Sequence, residues 1–189
     1  ELLIGALAEA QKRYPIKIHA FTALSNHWHL LATYKDPKEM ADFHRHFQGN
    51  LSIEVRSLHG WTGGTVFPKR YRHVELSEEP EIELKRLKYV LAQGCKEGLV
   101  ASPLDWPGAS STEALISDRP LTGRWVDRTA FSRALARGKK VTEAEFTEEL
   151  GLRLAPVPSL AHLSSRECRR VITDQVRQIE EEAAAAHAE

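Results

Sequence analysis

Between Leu2 and Gly98 the apolar pattern alternates between helical and strand spacing, and this restricts the chain to an α+β fold. Leu2, Leu3, Leu7 and Ala8 recur at helical spacing until Pro15 stops them. Ile16–Leu24 then alternates, with Ile16, Ile18, Ala20 and Thr22 on one face and Lys17, His19 and Phe21 on the other. Ser25-Asn26 is a turn signal, so His27–Tyr34 reads as the second strand of a hairpin. Asp36-Pro37-Lys38-Glu39 is a helix start, with an N-cap, a proline at the first position and an acid at the third. Met40, Phe43, Phe47, Leu51 and Val55 continue that helix to Gly60. After a Gly-rich turn at Trp61–Gly64, the stretch Thr65–Leu76 is predicted as a strand and Glu79–Gln93 as a helix, with Gly94 and Gly98 marking its end.

The resulting order, helix–strand–strand–helix–strand–helix, is most of a ferredoxin-like sandwich with an antiparallel sheet. That fold needs one more strand ahead of Glu1, so the chain is expected to begin after it. Beyond Trp106-Pro107-Gly108 the pattern changes, and a boundary is placed near residue 112. Residues 113–189 are expected to form a mainly helical extension with little strand signal, including short helices at Arg128–Arg137 and Glu143–Leu150. Thr142–Glu145 and Ser164–Glu167 have the form of capping boxes. The second opens an amphipathic helix carrying Cys168, Val171, Ile172, Val176 and Ile179 on one face, with an Ala/Glu-rich end over Glu180–Glu189 expected to fray.

The 189 residues carry 26 Lys+Arg against 26 Asp+Glu, a balance that argues against wrapping long duplex nucleic acid. The balance is an average, however. Between Phe43 and His73, Arg45, Arg56, Lys69, Arg70 and Arg72 face a single acid, Glu54, and aromatic residues are interleaved among them. Such a stretch suits a short single strand as well as it suits a solvated helix face and a charge-guarded edge strand. No apolar run is long enough to span a membrane and no secretory leader opens the chain. Cys95 and Cys168 are too few for a disulfide framework, which fits a reducing, cytoplasmic setting.

His27-Trp28-His29 places two imidazoles on one face of a strand with the indole on the other. Such a pair suits a divalent cation, although two incidental histidines on a strand face are commoner. On the helix that follows Pro80, Leu84, Leu87 and Leu91 form one face, while Tyr89 and Gln93 share the other with Lys85, Arg86 and Lys96 around them. A tyrosine among cations can act as a nucleophile toward a phosphate, or simply lie on the surface. Cys95 beside Gln93 reads as a buried thiol.

Three linked motifs then resemble the single-tyrosine HUH transposases, in particular the REP-associated branch. Asn26-His27-Trp28-His29-Leu30-Leu31 is similar to that family's Asn-His-hydrophobic-His-Leu-Leu signature. Tyr89-Val90-Leu91-Ala92-Gln93-Gly94-Cys95-Lys96-Glu97-Gly98-Leu99-Val100 resembles its tyrosine helix, and Ser102–Ser111 its Pro-x-x-Tyr/Trp-Pro-x-Ser-Ser continuation. Gly64–His73 fits the strand that carries an aromatic-x-x-Arg-Tyr element. The resemblance covers residues 1–112 and departs from the family at Gln93-Gly94, where Asn-Pro is usual.

The resemblance implies a ferredoxin-like nuclease that cuts single-stranded or hairpin DNA. Tyr89 would be the nucleophile, and His27, His29 and Gln93 the ligands of a divalent metal, Mg²⁺ or Mn²⁺. Arg45, Lys69, Arg70, Arg72, Lys85, Arg86 and Lys96 would contact DNA. A 5′-phosphotyrosine would store the phosphodiester energy, so rejoining needs no nucleotide cofactor, and a homodimer is compatible with the family pattern. Two other readings stand beside this one. One is a domesticated DNA-binding or regulatory protein with the same fold and little cleavage. The other is a metal-dependent hydrolase without a covalent step, for which no carboxylate base lies near the histidine pair.

Overall fold

Local signals place most of the early elements. The computed structural model describes residues 1–60, 62–67, 71–77, 79–117 and 119–186. In chain order these form α1 (Leu2–Arg13), β1 (Lys17–Ala23), β2 (Trp28–Thr33), α2 (Pro37–His59), α3 (Pro80–Leu91) and α4 (Gln93–Lys96). Next come α5 (Thr112–Ile116), β3 (Leu121–Val126), α6 (Arg128–Ala136), β4 (Thr147–Leu152) and α7 (Ser165–Ala186). Asp36 caps α2 by accepting the Glu39 N–H at 2.7 Å, and Glu39 returns a carboxylate to the Lys35 N–H. Gly60 ends the helix at φ 57°, a left-handed conformation that favours glycine.

The architecture is α+β with two two-stranded antiparallel sheets, β1–β2 and β3–β4. The expected strand at Thr65–Leu76 does not form among the described residues of that stretch. Its basic core from Lys69 to His73 offers no alternating apolar face to bury. Tyr71 instead stacks on His44 with ring centroids 4.1 Å apart. Expectations for the C-terminal region also change. The helix read at Glu143–Leu150 is a 3₁₀ turn, Glu143–Phe146, closed by the Thr142–Glu145 capping box and followed by β4. β3 and β4 contain Gly123, Gly151 and two exposed acids, Glu148 and Glu149, so their strand propensity is low and pairing across α6 is what makes them strands. The end of α7, expected to fray, is helical through Ala186, with Ala183 buried.

The chain divides into two compact units that interleave along the sequence. One comprises Glu1–Pro15, Tyr34–Arg72 and Leu121–Leu152. In it α1 packs on α2 and on the β3–β4 hairpin, and a Cβ on Gly5 would sit 2.0 Å from the Arg124 carbonyl oxygen. Only glycine allows this close approach of helix to strand. Phe43, Phe47 and Leu51 are buried on α2, but so are His44 and Glu54. Glu54 is held by Arg128 through two bonds of 2.9 and 3.0 Å, and Arg128 also bonds Glu143.

The second unit comprises Ile16–Thr33, His73–Pro120 and Arg153–Glu189. β1 pairs with β2 with a register irregularity between Ile18 and Ala20, and residues 18–23 of β1 are all buried. The other edge of β1 is closed by the segment after Trp106. Ser111 donates its N–H to the Phe21 carbonyl, Ala23 donates to Ala109, and the Trp106 indole N–H donates to the Ala23 carbonyl at 3.0 Å. Farther along, Ala155 donates to the Ile18 carbonyl. Beneath lies an apolar cluster of Leu87, Val90, Leu91, Cys95, Val157, Leu160, Ile172 and Ile179. α7 docks on α3 through Lys88–Glu182 at 2.6 Å and through Gln175, whose amide donates to the Leu84 carbonyl. Among the described residues no helix is long and apolar enough to cross a membrane.

Candidate active site around Tyr89

His27 sits at the hairpin turn and His29 one step into β2, so the alternation of the strand brings both imidazoles to one side. Their rings meet edge to face with centroids 5.0 Å apart. His29 in turn meets the ring of Tyr89, from α3, edge to face at 5.4 Å. All three residues belong to the second unit, so the pairing of β1 with β2 and the packing of α3 on that hairpin suffice to assemble them.

The surroundings set the chemistry of each ring. Asn26 Oδ1 lies 2.6 Å from His27 Nδ1 and can only accept, so His27 donates there and keeps its Nε2 lone pair for a ligand. Burial, then the neighbouring charges of His27 and Lys96, pull the His29 imidazole below its ordinary pKa, while Glu97 opposes them. His29 is therefore held in the neutral form that ligates metals. Lys96 Nζ lies 4.6 Å from the centre of the Tyr89 ring and the Arg86 guanidinium carbon 5.9 Å from it.

Gln93 differs from its expected placement. α3 ends at Leu91, and Gln93 opens the short α4 rather than extending the exposed face of Tyr89. Gln93 is 1% exposed, and its amide nitrogen donates to the Tyr89 carbonyl at 2.7 Å. The Trp106 ring and Val100 pack over the adjoining Gly94, where a Cβ would meet them at 2.9 and 3.0 Å, and α7 lies against α4. With its nitrogen committed, only Oε1 of Gln93 is left to serve as a ligand. Cys95 is buried in the apolar cluster as expected, and burial raises its thiol pKa.

Of the cations expected on DNA, Arg86 and Lys96 gather at Tyr89, and Lys85 is exposed on α3. Arg45 and Arg72 belong to the other unit, where both are exposed and Arg45 pairs with Asp42 at 2.8 Å. Lys69 and Arg70 lie outside the described residues. Sequence reasoning assigned no role to Asn26, although its place beside His27 is the signal for one. It also missed the contact of His46 and Asn50 with Glu9; the spacing of His46 and Asn50 along α2 was visible, but their meeting with Glu9 was not. Among the described residues no group of three or more His, Cys, Asp or Glu side chains converges as a metal site. No family model, curated protein or solved structure matches the chain.

Proposed function

We propose that the chain is a metal-dependent, single-stranded DNA transposase or nickase of the single-tyrosine HUH type. It would cleave and rejoin DNA through a 5′-phosphotyrosine. The observation that carries this reading is the convergence of His27, His29 and Tyr89, with ring centroids 5.0 and 5.4 Å apart, under the cations Lys96 and Arg86. The order α1-β1-β2-α2, then the tyrosine helix α3, is the part of a ferredoxin-like nuclease core that would be its scaffold, without the strand expected between α2 and α3 among the described residues.

The His27 Nε2 lone pair and the neutral His29 fit two positions of a divalent cation, and Gln93 Oε1, four residues after Tyr89, would add a third. Bound there, Mg²⁺ or Mn²⁺ would polarise the scissile phosphate as a Lewis acid. Lys96 and Arg86 offset the charge of the incoming phosphate and hold it over the tyrosine. Tyr89 Oη attacks phosphorus, the bond from phosphorus to the 3′ oxygen breaks, and the departing oxygen takes up a proton as a free 3′-hydroxyl. The tyrosyl phosphodiester left behind is reversible by attack of a 3′-hydroxyl, because one ester has replaced another.

The inward turn of Gln93 favours one alternative, a DNA-binding protein that keeps the fold but cleaves little. Incubation with labelled, hairpin-bearing single-stranded DNA and Mn²⁺ or Mg²⁺ separates the two. A covalent adduct lost in Tyr89→Phe is the expected result. Cleavage that persists in Tyr89→Phe would overturn the tyrosine mechanism, and binding without any adduct would favour the non-cleaving reading.

A further inference from the structure

The first unit holds a cavity of about 220 Å³, remote in chemistry from the tyrosine cluster. Its walls include Glu9 and Arg13 of α1, His46 and Asn50 of α2, Trp125 of β3 and Arg128 of α6. Inside its mouth the charges are already matched, and Arg13 at the rim is the exception. His46 Nε2 bonds the Glu9 carboxylate, and Asn50 Nδ2 donates to the same oxygen at 3.3 Å. Arg128 is taken by Glu54 and Glu143, and the Asp127 carboxylate caps α6 by accepting the Ala130 N–H at 2.8 Å. A small anion finds Arg13 at the rim but no uncommitted cation deeper in, and among the described residues a metal ion finds no converging ligand set.

The uncommitted groups have a different character. Asn50 Oδ1 has no hydrogen-bond partner among the described residues. The half-buried Trp125 supplies an aromatic ring with an N–H donor. Arg13 is exposed at the rim, with its guanidinium 6.0 Å from the Tyr14 ring. Electrically matched walls, polar edge groups of both senses and an aromatic wall select an uncharged, planar heteroaromatic ring. The volume lies below the roughly 300 Å³ at which pockets for drug-sized ligands begin, which limits the occupant to about one ring system.

We propose that this cavity binds one unpaired nucleobase, its ring against Trp125 and its edge on Asn50, with the attached phosphate on Arg13. The proposal rests on the single-stranded DNA reading and names a recognition pocket for that strand. It makes base identity at one nucleotide a determinant of binding that is separate from the metal and the tyrosine.

The test is a titration of the full chain, followed by NMR at the Trp125 indole N–H and the His46 ring. The probes are the four deoxynucleoside 5′-monophosphates, with 2-deoxyribose 5-phosphate as control, in wild type, Asn50→Leu and Arg13→Ala. At least one nucleotide should shift both signals saturably, and Asn50→Leu should weaken it about tenfold, the loss expected of a disrupted base contact. Arg13→Ala should weaken nucleotides but leave the free nucleosides unchanged. Equal shifts with 2-deoxyribose 5-phosphate, or undiminished binding in Asn50→Leu, would overturn the pocket. A second arm replaces one nucleotide at a time in the hairpin-bearing strand by an abasic site. A single position at which wild type loses affinity and Asn50→Leu does not assigns the base to the strand, and a flat profile overturns that assignment. Neither arm measures cleavage, so the readings can fail separately. Titration without any adduct sinks the cleavage mechanism alone, and adduct without titration sinks the pocket alone.

Discussion

The two units partner their buried polar groups in different ways. Around the apolar cluster of Leu87, Leu91, Ile172 and Ile179, the second ties buried polar side chains to backbone: Gln93 donates to the Tyr89 carbonyl, Gln175 to the Leu84 carbonyl, and Glu83 accepts the Ser159 N–H. Its functional side chains, His27, His29 and Tyr89, lie at the margin, exposed or half-buried. The first pairs them with other side chains: Glu54 is 3% exposed and paired with Arg128, and His44 is buried against Tyr34 and Tyr71. The histidines carry the consequence. His46 is committed to a carboxylate and His19 to the Ala155 carbonyl and the Thr33 hydroxyl, whereas His27 and His29 meet each other and a tyrosine. An imidazole is available for ligation where the fold leaves its lone pair uncommitted, and residue type alone does not decide that.

The contrast can be tested from its largest consequence downward. Loss of the nucleophile in Tyr89→Phe should reduce covalent DNA adduct by about a thousandfold or more while leaving thermal stability unchanged. In the second unit, Leu91→Ala should cost about 2–5 kcal/mol in denaturant unfolding, because the side chain is 1% exposed and packed in the apolar cluster. In the first unit, Arg128→Met should cost about 3–5 kcal/mol by stranding Glu54, whereas Arg128→Met combined with Glu54→Leu should be near neutral. A double variant as unstable as the single one would show that the ion pair is not replaceable by apolar packing, and the contrast between units would then be one of necessity.

Acid should act on the second unit. Burial, more than any other influence, lowers the pKa of His19, and His29 is lowered in the same way. The unfolded chain therefore takes up protons more readily than the folded one. The stability contributed by these neutral rings is complete above about pH 6.5 and is lost as pH falls through their depressed folded values. Melting temperatures should drop between about pH 7.5 and about pH 5, and less steeply in His19→Gln. The smallest expected effect is local: Asp36→Ala removes the acceptor of the Glu39 N–H and should cost about 1 kcal/mol.

Elements whose signals lie within a few residues were legible beforehand. The hairpin 17–33, the start of α2 at Asp36 and its end at Gly60, and the capping box that opens α7 all derive from alternation, caps and glycine. The histidine pair was legible as two rings on one strand face, and Tyr89 as a tyrosine on the same helix as three leucines. That the pair and the tyrosine belong together came from the motif resemblance, since nothing local joins residue 29 to residue 89. The helical wheel placed Leu87 and Leu91 correctly but set Gln93 on the exposed side, because it assumed one continuous helix where the chain breaks at Ala92.

By itself, then, the sequence determined the local vocabulary: which stretches turn, which coil, where helices begin, and which side chains share a face. These depend on steric and hydrogen-bonding relations among near neighbours, which are written in order along the chain. Only the tertiary structure decided that Glu54 meets Arg128, 74 residues away, that Glu9 meets His46, 37 away, and that Leu121–Val126 finds Thr147–Leu152 as its partner strand. It also turned Gln93 inward, where its amide donates to the Tyr89 carbonyl. Such contacts arise from competition among all surfaces that could bury one another, and no short-range rule encodes the outcome of that competition.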